Sequence, residues 1–114
     1  EGLCDMGGVG EGLPRVNVER YSWTDEGFAI HVSFEVPEAV TRNAVRVAVR
    51  DRALEVYAVC EGAAYRLYVP RLYKEVIASK CTWKVSQRLR RVTVLLHKHD
   101  TNEWRFLSAA GRAH

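Results

Sequence analysis

Between residues 28 and 36 the chain reads Phe-Ala-Ile-His-Val-Ser-Phe-Glu-Val, with a large apolar residue at every even position and a small or polar one at every odd position. Successive side chains of an extended chain point to opposite faces, so this period of two predicts a strand with one face in a core and the other in water. Pro37, which has no N–H to give to a ladder, ends it. The alternation resumes from Asn43 to Arg50, with Val45, Val47 and Val49 inward and Arg46 and Arg50 outward, and Asp51-Arg52 turns the chain. Leu54, Val56, Ala58 and Cys60 repeat the pattern, Glu61-Gly62 makes a second turn, and Tyr65, Leu67 and Val69 follow before Pro70. Three strands joined by tight turns predict a meander.

Residues 73–79 and 81–85 are shorter and less regular, with Trp83 and Val85 on one side, and Val92, Val94 and Leu96 close the series. About seven short strands at regular spacing predict an all-β fold, a seven-stranded antiparallel β-sandwich. A helical bundle is disfavoured, because a period of two wound onto a helix scatters its apolar residues all round. One helical turn is expected near the C-terminus, where Asp100-x-x-Glu103 has capping-box spacing and Trp104 and Leu107 would pin the turn to the sandwich. Residues 1–19, with Gly7-Gly8-Val9-Gly10-Glu11-Gly12 and Pro14, show no period and read as a flexible arm. The sandwich is expected over 20–108 and a tail over 109–114.

With 114 residues, 47% hydrophobic and 27% charged, the chain fits one globular domain. Each inward aliphatic contributes roughly 1.5–3 kcal/mol on burial, enough to hold a domain of this size without staples. The cysteines, Cys4, Cys60 and Cys81, are odd in number and lack C-x-x-C spacing, so neither a disulfide framework nor a four-ligand zinc site is indicated. A reducing compartment is expected, cytoplasmic and also nuclear. No apolar run reaches the roughly 18 residues of a membrane span. The chain starts at Glu1 rather than methionine, which leaves flanking domains open. A formal net charge of +3 is too small to demand a polyanionic partner.

Few residues suggest chemistry. His97-x-His99 beside Asp100 puts two imidazoles on one side of a strand end, but no third metal ligand is placed by spacing. The glycines of 8–12 lack the preceding strand and following helix of a phosphate-binding loop. No G-x-S-x-G elbow exists, and Cys60 and Cys81 read as packing residues. No catalytic residue, cofactor or metal is expected. The arginines at 42, 46, 50 and 52 and at 88, 90 and 91 support an alternative, a nucleic-acid-binding β domain. That alternative would want an RNP-like string of outward aromatics on central strands, and none is visible.

A set of segments carries a resemblance: Tyr21-Ser22-Trp23, the strand over 28–36, Tyr65-x-Leu67, Pro70-Arg71-Leu72-Tyr73-x-x-Val76-Ile77-Ala78-Ser79-Lys80-Cys81-Thr82-Trp83-Lys84-Val85, then Val92 to Lys98 and Trp104. In this order and at this spacing they resemble a CS domain, the domain of CHORD-containing proteins and Sgt-type co-chaperones, related to the alpha-crystallin sandwich. The nearest likeness is to the Sgt type and to calcyclin-binding (Siah-interacting) proteins. The resemblance implies a non-enzymatic, monomeric adaptor that docks the ninety-kilodalton heat-shock chaperone or ubiquitin-ligase components. It implies a docking surface on one sheet face, at Thr24, Ser33, Arg91 and Thr93, and the outward register of the same strands adds His31 and Leu95. Arg91 keeps the family's basic character. Thr24 and Ser33 stand where Sgt-type domains often carry an aromatic or large apolar residue, and Thr93 where they often carry an acid. Because truncating an interface anchor typically costs ~2 kcal/mol or more, weaker chaperone docking is expected.

Overall fold

The alternating segments become strands because only an extended chain can put Ile30, Val32, Phe34 and Val36 on one side together; all four are buried. The computed structural model describes residues 12–109, so the expectations for residues 1–11 and 110–114 lie outside the described residues. Among the described residues eight strands follow in chain order: β1 (Arg15–Asn17), β2 (Ser22–Asp25), β3 (Ala29–Glu35), β4 (Val45–Arg50), β5 (Ala53–Cys60), β6 (Ala63–Val69), β7 (Thr82–Ser86) and β8 (Arg91–His97). They form two four-stranded sheets, ordered β1-β6-β5-β4 and β2-β3-β8-β7. The fold is the expected β-sandwich.

The meander β4-β5-β6 is antiparallel throughout, in the register that pairs Val47 with Val56 and Val56 with Leu67. Its second turn has positive φ at both Glu61 (54°) and Gly62 (73°), the backbone that matches the twist of a two-residue hairpin. Glycine takes that conformation freely; glutamate does so at a steric cost.

Three details differ from expectation. Within the segment read as an arm, Arg15–Asn17 forms β1, which pairs parallel to Ala64–Arg66. All three β1 residues are exposed, so an edge strand this short leaves no alternation to read. Residues 73–79 are not a strand. They cross between the sheets, tied by bridges from Leu72 to Ser108 and from Val76 to Lys98, and end in a single 3₁₀ turn at Ala78–Lys80. No helix caps residues 100–107 either. Asp100 Oδ1 accepts the N–H of Asn102, two residues on rather than three, which closes a local turn and leaves the capping box unmade.

The core lies between the sheets. Leu54, Val56, Leu67, Ile30, Val92, Val94 and Leu96 are essentially fully buried, and Leu72, Val76, Trp104 and Leu107 from the connecting and C-terminal segments join them. Across the second sheet, Trp23, Val32, Val94 and Trp83 form one inward row, so each edge strand supplies an indole. Over the Trp83 ring lies the Arg42 guanidinium, 4.0 Å from its centre, and Arg42 Nη1 also donates to the Trp83 carbonyl. This contact links the approach to β4 with β7 and covers one open side of the sandwich.

Cys60 is buried in the core cluster, and Cys81 packs against it half-buried. The Cys81 thiol donates to the Ile77 carbonyl and accepts the His97 N–H; burial pushes its pKa up, partly opposed by that N–H. A thiol held protonated in this way is a packing residue, as expected.

Candidate protein-interaction face

Register decides which outward side chains meet. On the second sheet, Ser22, Ser33, Thr93 and Lys84 form one row, and Thr24, His31, Leu95 and Thr82 form the next. Glu35, Arg91 and Ser86 lie in a third row. The structure therefore brings Thr24, His31, Ser33, Arg91, Thr93 and Leu95 together on one face, contributed by β2, β3 and β8.

The face is mixed and mostly polar. Arg91 pairs with Glu35 at 3.3 Å, and the hydroxyls of Ser22 and Ser33 lie 3.1 Å apart. His31 Nδ1 is 3.8 Å from a carboxylate oxygen of Glu26. Both contacts are exposed, so each contributes little to stability and stays open to a partner. Beside them, Arg20, Tyr21, Ser22, Ser33, Glu35 and Arg91 line a shallow hollow of about 380 Å³.

Leu95 is not the exposed apolar residue expected on this face. It is half-buried, and Thr93 is buried, because β8 is a central strand whose outward side chains are flanked by β3 and β7 on either side. Phe28 takes that place. Read from the alternation as inward, Phe28 lies one residue before β3 begins, where the chain has not yet entered the ladder, and it is 59% exposed. Its ring sits 5.9 Å from that of His97, at the end of the same face. A break in the alternation at Gly27, where φ is +95°, is the only sequence signal that could have found it.

The corner beneath Phe28 is fixed by ionic contacts. Lys98 Nζ donates to both carboxylate oxygens of Asp25, at 3.0 Å each. Asp25 also accepts the N–H groups of Gly27 and Trp104, each at 2.9 Å. Burial pushes the Asp25 carboxyl up, but the Trp104 and Gly27 N–H groups together with Lys98 outweigh it, and its pKa is lowered. The carboxylate thus ties β2, the β2–β3 turn, the end of β8 and the C-terminal segment together.

His97 and His99 do not converge on a third ligand. The His97 ring lies tilted against that of Phe28, and the backbone N–H of exposed His99 donates to the Glu75 carbonyl. Among the described residues there is no group of three or more His, Cys, Asp or Glu that could hold a metal ion. No helix among them is long and apolar enough to cross a membrane.

The CS-domain family model matches residues 19–98, and the chain belongs to that family. CS domains are protein-interaction modules of co-chaperone-like character. Solved structures agree in fold. The CS-b5R domains of human Ncb5or superpose with a TM-score of 0.72 at 14% identity over 78% of this chain, which spans only 25% of that one. The CS domain of human KIAA1068 protein gives 0.68 at 20% identity, covering 80% of this chain and 73% of the other. A nuclear movement protein from E. cuniculi gives 0.58 at 22% identity, covering 77% and 96%. No curated protein matches the chain significantly by sequence.

Proposed function

We propose that this CS domain is a non-enzymatic adaptor that docks a protein partner through the outer face of the β2-β3-β8-β7 sheet, in assemblies of the ninety-kilodalton heat-shock chaperone or of ubiquitin ligases. The observation that carries the reading is the convergence of Thr24, His31, Ser33, Arg91, Thr93 and Leu95 on one sheet face. Membership of an interaction-module family supports it. The nearest subtype on this reading is the Sgt or calcyclin-binding type, acting as a monomer in the cytoplasm and also the nucleus.

Phe28 compensates for the missing aromatics. Thr24 and Ser33 offer no large apolar contact, while the exposed Phe28 ring, braced on His97, offers one at the edge of the same face. Aromatic side chains supply much contact area with few rotors to order, so a single ring is enough to anchor a modest interface.

Calorimetric titration of the domain with the chaperone's nucleotide-binding domain tests the chaperone version. Saturable binding that weakens in Arg91→Glu supports it. Binding to ubiquitin-ligase components alone would leave the adaptor reading standing and remove the chaperone from it. No binding to either would remove both.

A further inference from the structure

The outer face of the other sheet carries an arrangement that docking through Phe28 and Arg91 does not use. Register places Asn17, Arg66, Tyr57 and Arg46 in one row across all four strands, with Tyr68, Glu55 and Ala48 in the next. The Arg66 guanidinium lies 4.2 Å from the centre of the Tyr68 ring and 5.9 Å from that of Tyr57, and Arg15 lies 5.4 Å from the Tyr57 ring. Cations and rings therefore alternate across β1, β6 and β5.

Charge on this face is one-sided. Arg15, Arg46, Arg50 and Arg66 point outward by register, and Glu55 is the one carboxylate among the outward residues of these strands. Glu55 is nearly buried and already held by Arg66, whose Nε donates to its Oε2 at 2.6 Å. That internal pair sets a carboxylate against a guanidinium lying over tyrosine, the contact an acidic partner would repeat. Arg46 is exposed, with Nη1 braced by the carbonyls of Asn43 and Val45, so its planar fork is held at the sheet edge. Arg15 is exposed over Tyr57. A guanidinium fixed in this way loses little freedom when it captures a second carboxylate.

We infer that this face docks an acidic segment of a partner protein, with Arg15 and Arg46 taking its carboxylates. A single strand of nucleic acid is the weaker fit. It would need open ring faces for its bases, whereas Tyr57 is only 7% exposed and the Tyr68 ring already carries Arg66. The site lies on the sheet opposite the face proposed above, so the two assignments stand or fall separately.

The test uses a fluorescein-labelled peptide of alternating Glu and Ser, about twelve residues long, followed by anisotropy, with an oligothymidylate of equal charge in parallel. The peptide should bind saturably, and added salt should weaken it. Replacing the two arginines assigned to the carboxylates, Arg15→Glu with Arg46→Glu, should weaken binding at least about tenfold. The milder pair Arg15→Gln with Arg46→Gln should weaken it less, with an unchanged melting temperature showing that the fold is intact. Leu95→Arg, on the other sheet, should leave peptide binding unchanged. Absence of saturable peptide binding, unchanged affinity in the charge-reversed variant, or tighter binding of the oligothymidylate would each overturn the inference.

Discussion

The Lys98 ammonium, 1% exposed, sits 3.0 Å from a carboxylate oxygen of Asp25, joining residues that are 73 positions apart in the chain. Taking the ammonium out of water is costly, and the pair persists because Gly27 and Trp104 hold the half-buried Asp25 in place. Removing Asp25 leaves the Lys98 ammonium charged and buried. Asp25→Ala is therefore expected to cost about 3–5 kcal/mol in urea unfolding, far more than an exposed pair such as Glu35–Arg91 would. A loss under about 1 kcal/mol would show that the pair is not structural.

Acid should act through the same carboxylate. The folded pKa of Asp25 lies below its ordinary value of 3.8, so the unfolded chain takes up the proton first. Its stabilisation is complete above that value and is lost as pH falls through the lowered folded pKa. Asp25→Asn should flatten this part of the stability–pH curve below about pH 4. An unchanged acid limb in the variant would contradict the assignment.

Glu61 works in the opposite direction. A shared hydrogen bond and repulsion with Glu38 raise its pKa above the ordinary 4.5. An acid whose folded pKa is raised opposes folding once ionised, so the penalty grows as pH rises past 4.5. The residue also sits at φ 54°. Glu61→Asn removes the charge and suits the turn, and the urea midpoint should rise at pH 7, with a smaller rise at pH 4.

The C-terminal segment is expected to be part of the folded unit, although the family match ends at residue 98. Leu107 is fully buried and Trp104 nearly so, and backbone bonds run from the Tyr73 N–H to the Leu107 carbonyl and from the Ala109 N–H to the Arg71 carbonyl. Leu107→Ala should cost about 2–5 kcal/mol by lost burial and the cavity left behind. A cost near zero would mean that the segment is only laid against the surface.

Phe28→Ala separates stability from docking. A ring 59% exposed contributes little to folding, so denaturation should move by less than about 1 kcal/mol. If the ring anchors the partner, affinity should fall roughly thirtyfold, the equivalent of an interface hot spot. Equal affinity in the variant would remove Phe28 from the face.

The sandwich was legible wherever one face of a strand is buried and the other wet, as in β3, β4 and the meander. Where neither face is buried, as at Val16 in β1, the pattern carried no signal. The sequence also hid Lys98, a charged residue whose burial depends on a carboxylate far along the chain. Thr24, Ser33, Arg91 and Thr93 came from the family resemblance and His31 and Leu95 from strand parity, and the register sets all six on one face. Phe28 was missed because parity fails outside the ladder. Tyr57 and Tyr68 point outward on β5 and β6, which parity within those strands already held. The guanidinium covering on their rings depended on a strand pairing that composition does not reveal.

The most direct measurement is an amide chemical-shift map of the isotope-labelled domain titrated with the nucleotide-binding domain of the ninety-kilodalton chaperone. Shifts concentrated at Thr24, Phe28, His31, Ser33, Arg91, Thr93 and Leu95 are expected. Binding whose shifts fall on β4, β5 and β6 instead would contradict the assignment of the docking face.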